Sequence, residues 1–169
     1  MIEKDAESKI RKFSELYVQL GLLEKLLRVA IPASLTTKGR RDGENEWIAL
    51  LHLDGKGRAK LNQARIQQRK AQQSSDFSIS EFLPLSFWSW IISRRHYTSL
   101  WIPHTHQISS DFEIRQSFIY FKRFEERLHS ATVDRNFVAH YNLSRITSLE
   151  ESLANVRWLQ EAMGLVKAE

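Results

Sequence analysis

Three side chains that could act together on a phosphodiester stand close together in the sequence: Arg135, Asn136 and His140. An imidazole with an ordinary pKa of about 6.5 can take or give a proton at neutral pH. A guanidinium can hold a phosphate through its fork of N–H donors, and an amide can orient the histidine or the substrate. This set suits cleavage of RNA, where the 2′-hydroxyl is a built-in nucleophile and no metal is required.

The chemistry depends on how a helix positions these residues. We expect Asp134 to cap a helix that begins there, which puts Arg135 in its first turn. Free backbone N–H groups and the positive end of the helix dipole would then join the guanidinium in a phosphate site. Asn136 and His140 lie four residues apart and therefore on one face. The alternative is that these polar side chains only tie helix ends together by hydrogen bonds.

Other histidine patterns have structural interpretations. Arg123 and His129 show similar spacing, so spacing alone says little. His104 and His106 could supply two metal ligands, but no carboxylate stands at a recognisable spacing, which favours a loop with exposed imidazoles. The sequence therefore predicts no metal and no cofactor.

Positive charge is concentrated in residues 55–75, which carry +6 and no acidic residue, whereas the whole chain carries +5. Clustered cations bind polyanions such as RNA. A solvated, Gln-rich connecting segment is the other interpretation. Arg94, Arg95 and His96 form a second cluster, either a cationic rim or the solvated end of a buried helix. The basic residues of the first segment are Lys56, Arg58, Lys60, Arg65, Arg69 and Lys70.

Apolar periodicity predicts the elements that position these groups. The first helix spans about residues 5–29 and ends before Pro32. Asp54, Gly55 and Gly57 predict a break and a hinge, and residues 61–73 read as an exposed helix or a mobile arm. The predicted buried stripe of the first helix consists of Ile10, Phe13, Tyr17, Leu20, Leu23 and Leu27.

The second half of the chain predicts three more helical regions. Residues 82–92 are nearly continuously apolar, so the tryptophans there favour core packing over base stacking. A helix opens near 110 and breaks around Ser130 to Thr132. The last helix begins at Ser148, whose spacing to Glu151 has the capping-box form, and ends at Gly164.

The amino-acid composition indicates the fold class. The chain has 169 residues, 42% of them hydrophobic, with only 6 Gly and 3 Pro, which favours an all-α bundle of about five to seven helices in one domain, 1–169. The absence of cysteine excludes disulfides, thiolate nucleophiles and iron–sulfur clusters, and fits a reducing compartment. The charged start predicts no secretory signal, and no stretch predicts a membrane span, so we expect a soluble cytoplasmic protein.

Several segments together resemble a known family. Arg135-Asn136-x-x-Ala139-His140 is similar to the Arg-polar-x-x-x-His motif of the HEPN superfamily, in its abortive-infection (Abi-like) branch. The resemblance extends upstream to Leu83-Pro84-x-x-Phe87-Trp88, followed by Tyr97, Leu100 and Trp101. Near the start, Tyr17, Leu23, Glu24, Leu27 and Arg28 are similar to the family's first helix.

The resemblance implies a HEPN-like helical fold and a metal-independent endoribonuclease of an abortive-infection or toxin–antitoxin system. It implies a homodimer whose Arg135 and His140 line one cleft, with Asn136 in a positioning role. RNA is the implied substrate, a protein antitoxin is a further partner, and Arg94, Arg95, Tyr141 and the basic segment would track flanking RNA.

Two other functional classes stay open. A HEPN domain can bind RNA, a nucleotide or a protein partner without cutting. A helical adaptor would instead use Trp88 and Trp90 in a protein interface.

Overall fold

The computed structural model describes residues 2–35, 46–71, 78–104, 118–140, 142–146 and 148–163. Within these ranges the backbone forms α-helices and short helical turns and no β-strand, which confirms the predicted all-α class. Short turns of 3₁₀ type cover Ile79–Phe82, Arg94–His96 and Leu143–Arg145, and a π-helical turn covers Tyr97–Trp101. The α-helices are α1 (Ile2–Leu35), α2 (Glu46–Ala49), α3 (Gly55–Ala71), α4 (Leu85–Ile91), α5 (Ile102–His104), α6 (Phe118–Ala139) and α7 (Leu149–Ala162).

Helix α1 forms one long side of the bundle and packs against α4, α6 and α7. Its buried stripe recurs at steps of three or four residues, as an amphipathic helix requires. Ile10 and Tyr17, predicted on that stripe, are instead 63% and 62% exposed. Tyr17 follows the fully buried Leu16, and one residue turns a helix by about 100°, so it points away from the core. The stripe consists of Leu16, Leu20, Leu23, Leu27 and Ile31.

The predicted end of α1 before Pro32 is wrong, because the helix continues to Leu35 with Pro32 inside it. Proline removes one backbone hydrogen bond and strains the preceding turn. Ile31 and Leu35 on either side of it are almost fully buried. We attribute the extra turn to that burial, which offsets the local penalty.

The tryptophan-rich segment lies in the core, as predicted. Trp88 and Trp101 are almost fully buried, and the indole N–H of Trp101 donates to the Ile91 carbonyl at 3.0 Å. Trp47 of α2 is also buried, and its ring centroid lies 5.7 Å from that of Trp88. These rings therefore hold α2, α4 and the π-helical turn together.

Helix α3 shows that Asp54, Gly55 and Gly57 begin a helix rather than form a hinge. The Asp54 carboxylate accepts a hydrogen bond from the Gly57 N–H at 2.8 Å, which is the geometry of an N-cap. The helix then continues to Ala71, and it buries Leu61 and Ala64. The helix alternative for residues 61–73 is therefore confirmed up to Ala71, and residues 72–75 lie outside the described ranges.

Helix α6 is continuous from Phe118 to Ala139, so the predicted break around Ser130 to Thr132 is wrong. The Thr132 hydroxyl donates to the Leu128 carbonyl at 2.8 Å, one turn back along the same helix. Ala131 beside it is fully buried, so packing favours continuation of the helix. Residues 110–117, where its start was predicted, lie outside the described ranges.

Helix α7 begins as the capping box predicts, because the Ser148 hydroxyl accepts a hydrogen bond from the Glu151 N–H at 3.2 Å. Gly164, its predicted end, lies outside the described residues. None of the helices in the described part of the chain is long and apolar enough to cross a bilayer.

Candidate active site and its basic surroundings

Arg135 lies where α1 and α6 meet, at the junction of two surface depressions of about 260 and 320 Å³. Arg135 and Glu24 line both of them, so the two depressions adjoin at this pair, and together we call them the Arg135 groove. Tyr17 and Gly21 of α1 line its first part, and Lys60 of α3 lines the second. The motif arginine is therefore placed in a solvent-accessible concave surface.

A buried carboxylate holds this arginine. Glu24 is only 8% exposed, and its Oε1 accepts a hydrogen bond from Arg28 at 2.7 Å. Its Oε2 lies 3.8 Å from the Nε of Arg135, whose side chain is 42% exposed. Glu24 thus forms a long ion pair with Arg135, while much of the arginine side chain stays open to solvent.

Two further cations line the same groove. The Lys60 ammonium donates to the Ser86 hydroxyl at 2.8 Å. Partial burial, followed by the nearby charge of Lys56, lowers the pKa of Lys60 below its ordinary value. Arg28 lies beside Glu24, and one of its terminal nitrogens is 3.7 Å from Glu81. With three cations against two carboxylates, the Arg135 groove has an excess of positive charge that suits a phosphate backbone.

The continuous course of α6 corrects the predicted helix-start site. Arg135 lies four residues before the last residue of α6, close to the negative end of the helix dipole. Asp134 is an interior residue of the helix and does not cap it. Burial raises the pKa of Asp134, and a hydrogen bond with the Ser152 side chain partly offsets that effect. Any phosphate held by Arg135 would therefore be bound by side chains, without a helix N-terminus.

His140 follows the last residue of α6, and both His140 and Asn136 are exposed. The His140 N–H donates to the Asn136 carbonyl at 3.2 Å. Arg135 and His140 are five residues apart, which on a helix corresponds to a rotation of about 140°. His140 is not among the residues that line the Arg135 groove. The described part of a single chain therefore does not bring His140 into the groove that Arg135 lines.

The basic segment does not form one surface, because α3 divides its cations between two flanks of its buried face. Lys60 lines the Arg135 groove, whereas Arg58 and Arg65 line a separate depression of about 630 Å³. Helical geometry places Lys56 and Lys70 on the Lys60 flank and Arg69 on the opposite one. Of the predicted RNA track, only the lysine flank adjoins Arg135.

In the second basic cluster the two arginines form ion pairs, whereas His96 is buried at 5% exposure, so its predicted place on a rim or at a solvated helix end is wrong. Arg94 lies 2.8 Å from Glu125, whose carboxylate also accepts its backbone N–H. Arg95 lies 3.0 Å from Asp54. These contacts reduce the positive charge available to RNA. Tyr141 lies outside the described residues.

The rival Arg123 and His129 pattern has a structural explanation. The Arg123 guanidinium lies 5.2 Å from the centre of the Trp158 ring, and Arg127 lies 4.6 Å from the same ring. Trp158 belongs to α7, so these contacts join α6 to α7. Arg123 therefore takes part in packing, unlike Arg135.

No group of side chains suited to holding a metal ion occurs in the described part of the chain. His106 and the side chain of His104 are outside it. The structure therefore does not test the prediction that the imidazoles of His104 and His106 are exposed.

The acidic component of the groove was not predicted as a functional group from the residues themselves. Glu24 sits next to Leu23 within the apolar stripe of α1, and Arg28 follows it by one helical turn. A carboxylate on a buried face with a cation four residues later indicates a buried ion pair. That signal was available in the sequence, whereas the approach of Arg135 from α6 was not.

No family model, curated protein or solved structure matches this chain. Assignment of a function therefore depends on the Arg135 groove, on the motif, and on the resemblance that the motif carries.

Proposed function

We propose that this chain is a metal-independent endoribonuclease of the HEPN type, with Arg135 holding the scissile phosphate. The substrate 2′-oxygen attacks phosphorus, the bond to the 5′-oxygen breaks, and the products are a 2′,3′-cyclic phosphate and a 5′-hydroxyl. His140 assists the proton transfers that this exchange requires. The observation that carries the proposal is the half-exposed motif arginine, which a buried carboxylate positions in a positively charged groove.

The proposal requires two copies of the chain, because His140 does not line the Arg135 groove in the described part of one copy. Exposed apolar side chains on α1 and α6 provide a surface for such pairing. Val18 and Leu22 of α1 are 55% and 46% exposed, and Val133 of α6 is 37% exposed. In a symmetric pair, His140 of the second copy would have to face the Arg135 groove.

The test is cleavage of a labelled single-stranded RNA by the purified protein, with and without EDTA. We expect cleavage to resist the chelator and to fall by roughly a hundredfold or more in Arg135→Ala and in His140→Ala. His129→Ala is the matched control, since His129 is also exposed on α6 and carries no role in this mechanism. Helicity should be the same in all variants.

Undiminished RNA cleavage by both Arg135→Ala and His140→Ala would refute the proposal. Loss of cleavage in His129→Ala as well would point to a general effect on α6. The cyclic phosphate is checked by its resistance to phosphatase until acid opens the ring.

A second candidate, binding of RNA without cleavage, is favoured by one observation: His140 lies outside the Arg135 groove in the single chain. Salt-sensitive RNA binding that depends on Arg135 and Lys60, with no cleavage, would select this candidate.

The biological setting that the resemblance implies is abortive infection or a toxin–antitoxin pair. A ribonuclease of this kind should stop growth of an expressing cell, and Arg135→Ala should relieve the arrest. A protein antitoxin that covers the Arg135 groove would also relieve the growth arrest.

A further inference from the structure

The largest of the depressions described above lies away from the Arg135 groove, on the opposite flank of α3. It measures about 630 Å³ and lies between α3 and residues 48–54. Leu51, Leu53 and Leu61 are among its lining residues, and Leu51 and Leu61 are 8% and 3% exposed. These leucines give the depression an apolar floor. We call it the α3 pocket.

Two arginines stand at the polar side of the α3 pocket. Arg58 and Arg65 are seven residues apart on α3, so they lie on the same face two turns apart. Arg58 donates through Nε to the Leu53 carbonyl at 3.0 Å, which leaves its two terminal nitrogens for another acceptor. Neither arginine pairs with a carboxylate in the part of the chain that the structure describes.

The carboxylate that lines the pocket does not neutralise these arginines. One oxygen of Asp54 accepts the Gly57 N–H at 2.8 Å, and the other lies 3.0 Å from Arg95. The hydrogen bond from Gly57 is the main cause of the lowered pKa of Asp54. The carboxylate therefore stays ionised at neutral pH and serves as the N-cap of α3. Arg58 and Arg65 therefore leave the pocket with an unbalanced positive charge.

We infer that the α3 pocket binds a nucleoside phosphate, with the base on the leucine floor and the phosphate between Arg58 and Arg65. The two terminal nitrogens of each guanidinium match phosphate oxygens, and Asn62 and His52 supply polar groups at the edge. Its volume falls within the range of about 300–1,000 Å³ that is usual for small-molecule sites. This site is additional to the Arg135 groove and does not depend on RNA cleavage.

The nucleoside phosphate could be a free nucleotide or one residue of an RNA strand, and the experiment separates these sources. Each 5′-mononucleotide (AMP, GMP, CMP and UMP) and inorganic phosphate is titrated into the full chain by calorimetry. We expect at least one mononucleotide to bind, and to bind more tightly than phosphate, because only the nucleotide covers the apolar floor. Arg65→Gln should weaken that binding by about tenfold or more.

Arg69→Gln is the matched control, because Arg69 lies on the same flank of α3 one turn further on and does not line the pocket. Leu53→Asn is a second pocket variant, at a lining leucine that is only partly buried and lies outside α3, and it should also weaken nucleotide binding. Circular dichroism and the unfolding midpoint establish that each variant is folded.

Several results would overturn the inference. These are absence of binding by all four mononucleotides at millimolar concentration together with unchanged binding of a short RNA by Arg65→Gln, equal affinity for phosphate and nucleotide, or equal loss of binding in Arg69→Gln. If no mononucleotide binds but Arg65→Gln weakens binding of a short RNA, the α3 pocket binds a nucleotide within an RNA strand and does not bind a free nucleotide. Arg65→Gln should weaken mononucleotide binding by the same factor in the parent chain and in an Arg135→Ala background, so failure of the ribonuclease proposal is distinguishable from failure of this one.

Discussion

Asp134 is the residue whose behaviour depends most on the unbroken course of α6. As a helix cap it would have been exposed, but the continuous helix places it against Ser152 of α7, where burial raises its pKa above the ordinary 3.8. The folded state then holds a proton at pH values where the unfolded state has lost it. Stability therefore falls as pH rises through the folded pKa, and the loss persists at neutral pH.

We predict that Asp134→Asn raises the unfolding temperature at pH 7, because it removes the buried charge. The gain should shrink as the pH is lowered and disappear below the unfolded pKa of about 3.8. Thermal unfolding monitored by circular dichroism at pH 7, 5 and 3.5 measures this.

Asp54→Asn is the control of opposite sign. The Gly57 N–H lowers the pKa of Asp54, so its contribution to stability is present above the unfolded value and is lost as pH falls through the folded one. Asp54→Asn should lower the unfolding temperature at pH 7. An Asp134→Asn protein less stable than the parent at pH 7 would contradict our account of α6.

At the scale of elements, the close contact between the start of α3 and α4 depends on Gly57. A Cβ added at Gly57 would lie 3.1 Å from a Leu53 methyl carbon and 3.2 Å from the Trp90 ring. The ring belongs to α4 and packs against the rings of Phe87 and His96. Gly57 thus permits an approach of the two helices that alanine would prevent.

We predict that Gly57→Ala lowers the free energy of unfolding by about 1 kcal/mol, because overpacking outweighs the better helix propensity of alanine. Gly21→Ala is the matched control inside α1, where an added Cβ meets nothing within 4 Å. It should raise the free energy of unfolding by about 1 kcal/mol. Urea titration of both variants checks the difference, and a stabilised Gly57→Ala would show that α3 and α4 are less tightly packed.

At the scale of the whole molecule, the proposed catalytic site depends on pairing of two copies. We predict that Leu22→Glu, which puts a charge into the exposed apolar surface of α1, produces a monomer and lowers RNA cleavage by about the same factor as His140→Ala. Light scattering after gel filtration gives the mass, and the labelled RNA gives the activity.

Ile66→Glu on α3 is the matched control for Leu22→Glu, because the two side chains are 48% and 46% exposed. It should leave both the mass and the cleavage unchanged. A Leu22→Glu protein that remains dimeric and active would place the pairing surface elsewhere.

Local patterns were enough to predict much of this molecule from its sequence. The helical class, the burial of Trp88 and Trp101, and the cap at Ser148 all follow from composition, apolar periodicity and capping chemistry. Each of these signals acts within a few residues along the chain, so each can be recognised without knowledge of the fold.

The sequence by itself also supplied the identity of the motif residues Arg135 and His140, but only the tertiary structure decided their surroundings. Helix α6 runs through a segment that favours a cap, since packing of its buried face outweighs the local preference for a break. The placement of Glu24 beside Arg135, and of the α3 cations on separate flanks, results from contacts between residues far apart in the chain. Periodicity reports which face of a helix is buried and cannot report which neighbour covers it.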